Sequence, residues 1–232
     1  MFYKLSNTID ITEFEEEFNI HFKYPFLFKK TPVINGLTEA SLPIIKMENM
    51  ESTNLAIWGL LPQDYKEDWK SFQTFTNTLN ISFSDLNKLT WVRDIANQQR
   101  CIVIVSGFFT SYLFEGEVYP FFVYEKNKKP FGLAGIYSTL EDGFHSFSII
   151  TSTLENELEM VHNLGNEFPI ALDGNNYKDW FNLDLSKNCI EDLNKLELKA
   201  HPVSKEFFKN DISFDSILEP AQYSKLPVLT LK

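Results

Sequence analysis

Histidine and cysteine, two residue types that often perform acid, base or nucleophilic chemistry near neutral pH, are few in this chain. It contains four histidines and two cysteines, and neither Cys101 nor Cys189 belongs to a Cys-x-x-Cys or Cys/His cluster of the kind that binds zinc. The sequence also lacks a glycine-rich phosphate loop, a His-Glu-x-x-His zinc motif and a Gly-x-Ser-x-Gly nucleophile elbow. We therefore expect no metal site and no cofactor.

His162 is the most conspicuous of the histidines. It ends a stripe formed by Leu154, Leu158 and Val161, whose spacing predicts a helix. A histidine at the end of a helix more often caps it or borders the core than performs catalysis. The residue pattern alone therefore makes His162 a weak candidate for a catalytic site.

The charge balance argues against a general affinity for polyanions. The chain has 32 acidic and 21 basic residues, for a formal net charge of -11. Phosphate groups are bound through lysine and arginine, so nucleic-acid binding would require the basic residues to cluster on one face.

Composition and hydropathy predict a cytoplasmic monomer. Hydrophobic residues make up 44% of the chain and include 22 phenylalanines, which is enough for a large aromatic core. No apolar run is long enough to cross a membrane, and the first residues do not resemble a signal peptide. We expect no membrane partner.

The apolar periodicity predicts an α+β chain that forms one domain. Strand-like runs separated by turn pairs such as Glu115-Gly116 and Asp142-Gly143 predict a curved antiparallel sheet or barrel flanked by helices. The sheet is expected from residues 42–151 and 169–172, with one uninterrupted strand at 101–114. Helices are predicted at 12–19, 86–99, 154–162, 177–181 and 190–196.

Several short segments follow one another in a fixed order. They are Ile-Trp-Gly-Leu-Leu-Pro at 57–62, Arg-Cys-Ile-Val-Ile-Val-Ser-Gly-Phe-Phe at 100–109, Pro-Phe-Phe-Val at 120–123, Phe-Gly-Leu-Ala-Gly-Ile-Tyr at 131–137, Phe-Ser-Ile-Ile-Thr at 147–151, His-Asn at 162–163 and His-Pro-Val-Ser at 201–204. In this order they resemble the SOS response-associated peptidase (SRAP) family across residues 1–220, which implies one SRAP-like domain at 1–220 and a C-terminal tail at 221–232.

The resemblance implies a chemistry as well as a fold. In that family the initiator methionine is removed, and the exposed cysteine condenses through its α-amine with the ring-opened aldehyde of an abasic site in single-stranded DNA. The cysteine thiol then closes a thiazolidine, and an asparagine, a glutamate and a histidine surround the linkage. The family is accordingly described by peptidase, lyase and DNA-damage functions.

Carried over residue by residue, two of these four catalytic positions are retained. The asparagine falls on Asn80 and the histidine on His162, whereas Phe2 stands in place of the cysteine and Thr110 in place of the glutamate. A phenyl ring cannot close a thiazolidine, and a threonine hydroxyl cannot exchange protons near neutral pH as a tuned carboxyl does. We expect this chain to be catalytically degenerate.

The expected contacts with DNA are weakened too. A family arginine falls on Ser82, and Glu167 stands where another arginine precedes the Met-Pro pair. The candidate DNA contacts that remain are Lys4, Ser82, Trp58 and Phe108. Binding of single-stranded or abasic-site DNA is therefore expected to be weak or lost.

Three functions remain open from the sequence. The first is recognition of single-stranded or damaged DNA without covalent capture. The second is a non-enzymatic protein-interaction or small-ligand module on the same fold, which a neutral or acidic groove would favour. The third is a working protease or abasic-site lyase that uses a substitute nucleophile, either the Met1 amine or Lys4. Asn80, Thr110, His162 and the first residues are expected to converge on one groove.

Met1 is expected to stay on the mature chain. Removal of the initiator methionine requires a small second residue, and Phe2 is large. Intact-mass measurement on protein expressed without a tag tests this expectation. A species lighter than the full chain by one methionine would contradict it.

Overall fold

The computed structural model describes residues 2–153, 157–186, 190, 193, 196–209, 214–227 and 229. Its strands are β1 (Lys4–Asn7), β2 (Thr31–Asn35), β3 (Ser41–Lys46), β4 (Asn49–Trp58), β5 (Asn80–Ser82), β6 (Arg100–Val105), β7 (Gly107–Phe114), β8 (Glu117–Glu125), β9 (Phe131–Thr139), β10 (His145–Ser152), β11 (Phe168–Pro169), β12 (Ala171–Leu172) and β13 (Leu198–Pro202). The α-helices are α1 (Ile11–Phe18), α2 (Trp69–Phe75), α3 (Thr90–Gln98) and α4 (Tyr177–Asn182). The α+β class is thereby confirmed.

The larger of two sheets closes on itself. Among the described residues β10 pairs with β4 and with β9, and the circuit is completed through β3 and β6. The predicted barrel is therefore present, but it is mixed rather than antiparallel, because β10 runs parallel to β4 and β5. The segment before β5 contains α2, which lets the chain return to the sheet in the parallel direction.

The smaller sheet is antiparallel and has the strand order β13-β8-β7-β1-β2. Its central strands share one apolar cluster with the barrel, in which Leu5, Phe108 and Phe121 pack with residues such as Val103 and Phe147. The prediction of a single curved sheet missed this second layer.

The single strand expected at 101–114 is divided at Ser106. The Ser106 N–H lies 2.8 Å from the Ser6 carbonyl and 3.1 Å from the Asn7 Oδ1 acceptor, so the chain leaves the barrel and enters the smaller sheet there. Gly107 follows because a Cβ at this position would lie 2.4 Å from the Phe122 ring. The bend places Thr110 on β7, in the smaller sheet rather than the barrel.

The predicted helices are found in part. α1 buries Phe14 and Phe18 as its spacing indicated, and α4 lies at the position expected for 177–181. α3 is shorter than 86–99, since a separate 3-10 turn at Phe83–Asp85 precedes it.

The helix expected at 154–162 is the clearest error in this prediction. The structure has a 3-10 turn at Glu157–Met160, and His162 follows it in irregular backbone. Residues 154–156, and most of the helix expected at 190–196, lie outside the described residues. In the part of the chain that is described, no helix is long and apolar enough to cross a membrane.

Arg100 joins α3, β6 and α4. Its side chain is buried, the Nε donates to the Ala96 carbonyl at 2.8 Å, and Nη1 lies 2.8 Å from the Trp180 carbonyl and 2.7 Å from that of Leu183. The guanidinium thus satisfies carbonyl groups at the ends of two helices, which otherwise have no partner.

We predict that Arg100→Met lowers the free energy of unfolding by about 2 to 4 kcal/mol, because buried carbonyls lose their donors. Urea denaturation followed by tryptophan fluorescence measures the change. Arg93→Met is the matched control, since Arg93 is exposed, and its effect should stay within about 0.5 kcal/mol. Equal effects of the two substitutions would contradict the role of Arg100.

Candidate functional site

Phe2 lies inside the protein rather than on its surface. Its side chain is 2% exposed, and its ring centroid lies 5.7 Å from that of Phe108 in an edge-to-face arrangement and 5.2 Å from that of His162. The ring therefore occupies the space between the smaller sheet and the segment that carries His162. Met1 lies outside the described residues.

Asn80 reaches Phe2 from the barrel. It lies on β5 opposite Ile149 of β10, and its Nδ2 donates to the Phe2 carbonyl at 2.6 Å. Its Oδ1 is buried and has no hydrogen-bond partner among the described residues. Asn80 thus holds the backbone at Phe2 and keeps one acceptor unused beside it.

Thr110 has a structural contact in place of a catalytic one. It is buried on β7, and its hydroxyl donates to the Val161 carbonyl at 2.9 Å. Three residues further along β7, the Leu113 N–H donates to Asn163 Oδ1 at 2.7 Å, and Asn163 Nδ2 donates back to the Leu113 carbonyl at 2.9 Å. These bonds fix the backbone on both sides of His162.

His162 is held as a neutral imidazole. It is 5% exposed, and burial lowers its pKa. Nδ1 lies 3.2 Å from the Ser111 carbonyl, which can only accept, so the ring hydrogen is on Nδ1. Nε2 is then an unprotonated acceptor, and it is buried without a partner among the described residues. This nitrogen can accept a hydrogen bond from a bound ligand.

A cleft of about 220 Å³ opens beside these groups and is lined in part by Phe2, Lys4, Thr110 and His162. The structure thus brings three of the four carried-over positions to one cleft, and Asn80 contacts Phe2 from the other side. Sequence reasoning missed Phe207 and Phe208, which also line the cleft. The His-Pro-Val-Ser segment at 201–204, which precedes them in the sequence, could have indicated that this part of the chain lies at the site.

Two of the candidate DNA contacts were wrong. Trp58 and Phe108 are both fully buried, so neither offers a face on which a base could stack. The Trp58 Nε1 donates to the Leu79 carbonyl at 2.9 Å, and its ring stacks with that of Phe147. Ser82 is half-buried, with its hydroxyl 3.0 Å from that of Ser84, and its contact with DNA stays a prediction.

Lys4 is not a surface cation. It is 7% exposed, and Nζ donates to the Phe207 carbonyl at 2.6 Å. Its ammonium also lies 4.2 Å from the centre of the Phe207 ring. The expected phosphate contact through Lys4 therefore needs correction, because the charged group points into the protein.

The described cysteine is unsuited to replace the missing nucleophile. Cys101 is fully buried in the barrel, and burial raises the pKa of its thiol well above the ordinary value. Cys189 lies outside the described residues.

A second cleft of about 740 Å³ lies between β2 and β3. Three lysines line it, namely Lys4, Lys29 and Lys209, and its described lining includes no acidic residue. Lys209 is also paired with Glu206. The neighbouring 3-10 turn at Pro25–Leu27 exposes 77% of Phe26. The sequence pattern did not predict that these segments, which are separate in the chain, form one cleft.

The sequence profile of the SOS response associated peptidase family matches residues 2–210, and the chain belongs to this family.

Two curated relatives carry names that describe a function. The chain is 29% identical over 152 residues to the abasic site processing protein YMR114C of Saccharomyces cerevisiae, covering 64% of this chain and 40% of that protein. It is 26% identical over 188 residues to the abasic site processing protein HMCES of Gallus gallus, covering 68% of this chain and 54% of that protein. The chain thus spans about half the length of these relatives or less.

Solved structures share the fold. A protein from Bacteroides thetaiotaomicron superposes with a TM-score of 0.80 at 21% identity, covering 95% of this chain and 100% of that one. A protein from Bordetella bronchiseptica gives a TM-score of 0.68 at 16% identity, covering 87% of this chain and 99% of that one.

We predict that Phe2→Ala lowers the free energy of unfolding by about 3 to 5 kcal/mol, because it leaves a cavity between the two layers. Chemical denaturation measures the loss. Phe75→Ala is the control, since Phe75 is 90% exposed, and it should change stability by less than about 0.5 kcal/mol. If Phe2→Ala is as mild as the control, the first residues are not packed as described.

Proposed function

We propose that this chain recognises abasic sites in single-stranded DNA without forming the thiazolidine cross-link. Its membership of the SRAP family and the names of its curated relatives support abasic-site DNA as the ligand. One observation carries the proposed loss of the cross-link. The Phe2 ring, at 2% exposure, fills the position beside Asn80 and His162 where the resemblance expects a thiol.

The contacts of Thr110 support the same proposal. Its hydroxyl already donates to the Val161 carbonyl, and a hydroxyl does not titrate near neutral pH as a carboxyl does. His162 keeps a free Nε2 acceptor, and Asn80 keeps a free Oδ1. The site therefore retains groups that can accept hydrogen bonds from a sugar hydroxyl. It lacks the thiol and the carboxyl that together would form and hydrolyse a thiazolidine.

The charge around the second cleft favours an anionic ligand such as DNA over a neutral or basic one. Lys29 and Lys209 are exposed at this cleft, in a chain whose net charge is -11, and its described lining has no carboxylate. Tyr24 and Phe26 beside it are 41% and 77% exposed. Lysines that bind phosphates together with exposed rings on which bases stack are typical of single-strand binding surfaces.

The experiment is an electrophoretic assay with a single-stranded oligonucleotide that contains one abasic site, and with the undamaged oligonucleotide, at two salt concentrations. We expect a retarded complex that prefers the abasic strand, weakens at the higher salt concentration and disappears on heating in denaturant. A heat-stable adduct formed by the unmodified chain would contradict the loss of the cross-link. Equal failure to retard either strand would contradict DNA recognition.

The double substitution Phe2→Cys with Thr110→Glu tests the assignment of the positions. Cysteine is small enough to permit removal of Met1, so both the α-amine and the thiol become available. We expect a heat-stable cross-link to the abasic strand that the parent chain does not form. The matched control is Phe2→Ala with Thr110→Glu, which exposes an α-amine without a thiol and should not give that product. Failure of the cysteine variant, provided that it is folded and processed, would overturn the assignment of Phe2.

A further inference from the structure

We infer that the Lys4 ε-amine is a nucleophile for aldehydes, and that it forms a reversible imine with the ring-opened aldehyde of an abasic site. The first part concerns Lys4 alone, whereas the choice of substrate rests on the proposed function. The reaction joins the Lys4 nitrogen to the aldehyde carbon as a C=N bond. Two hydrogens from the amine and the oxygen of the aldehyde leave together as water, so no oxidant or further reactant is required.

The location of Lys4 is the first observation. Lys4 lines the cleft that contains Phe2, Thr110 and His162, and it also lines the larger lysine-containing cleft. It stands two residues after Phe2, at the start of β1. An aldehyde that enters either cleft therefore meets the Lys4 side chain, two residues from the position where the resemblance expects a thiol.

The second observation is that Lys4 is buried without a carboxylate. Among the described residues no acidic oxygen lies within 4.0 Å of its Nζ, and its polar partner is the Phe207 carbonyl. Lys46 provides the comparison, because it is 9% exposed but has its Nζ 2.7 Å from Glu48 Oε1. The two lysines are equally buried, and they differ in whether an anion stabilises the charged form.

This difference has a chemical consequence. Burial without a counter-charge disfavours the ammonium and lowers the pKa of Lys4. The neutral amine is the form that attacks a carbonyl, and buried lysines are activated in this way as Schiff-base nucleophiles. The Phe207 carbonyl accepts a hydrogen bond from either form, so the amine stays in place when it loses its proton.

The first test probes the amine without DNA. The full chain is treated at neutral pH with a limiting amount of formaldehyde and cyanoborohydride, and methylation of each lysine is followed by peptide mass spectrometry. We expect Lys4 to be methylated at least about 10-fold faster than Lys46, because the Lys46 ammonium is held by Glu48 whereas the Lys4 amine has only a carbonyl as its polar partner. A rate for Lys4 at or below that of Lys46 would overturn the inference, since the two are matched in burial.

The second test uses the abasic oligonucleotide with cyanoborohydride, which reduces an imine to a stable secondary amine. We expect a heat-stable complex that forms only when the reductant is present and that maps to Lys4. Lys4→Arg keeps the charge but should reduce trapping at least 10-fold, whereas Lys46→Arg should not. Mapping the product of the unmodified chain remains decisive even if Lys4→Arg folds poorly.

The outcomes separate this inference from the proposed function. Retardation of the abasic strand without trapping, or with trapping at another amine, overturns the role of Lys4 and leaves DNA recognition standing. Rapid methylation of Lys4 with no retardation of DNA supports the aldehyde-reactive amine and contradicts the proposed substrate.

Discussion

The antiparallel pairing of β1 with β7 determines where every group of the candidate site lies. Leu5 pairs with Phe108 and Ser6 with Gly107, so the residues before β1 enter the space between the two sheets. Because Ser106 bonds to Ser6 and Asn7, the same pairing also fixes the point where the chain passes from the barrel to the smaller sheet. All four residues of β1 are buried, so a slip of one residue would exchange the two faces of the strand and remove Lys4 from both clefts.

Three buried cations are stabilised in different ways, and the difference reflects what each one does. Arg100 donates to backbone carbonyls at the ends of two helices, which is a structural use of its several donors. Lys46 is neutralised by Glu48. The Lys4 ammonium contacts the carbonyl and the aromatic ring of Phe207, which stabilise its charge less than a carboxylate would. Chemistry is expected from a buried cation whose charge is least compensated.

The parts of the fold that could be predicted from the sequence depend on neighbouring residues. The hairpins around Glu115-Gly116 and Asp142-Gly143, and the helix that buries Phe14 and Phe18, follow from local spacing and turn residues. The break at Ser106 could not be predicted, because its hydrogen-bond partners lie about one hundred residues away. At the site, the family resemblance placed Phe2 and His162 correctly side by side. Trp58 was misassigned because an aromatic residue in a sequence does not reveal which face of a strand is covered.

One strand, β10, has an unusual number of pairing partners. It is hydrogen-bonded to β4, β5, β9 and β11, which are drawn from residues 49 to 169 of the chain. During synthesis the barrel cannot close until β10 has left the ribosome. Until then, backbone N–H and C=O groups at the edges of the earlier strands have no partner strand. Such non-local closure makes folding slow. Once formed, β10 can separate only if several ladders break together, and its amide hydrogens should be among the last in the protein to exchange with solvent.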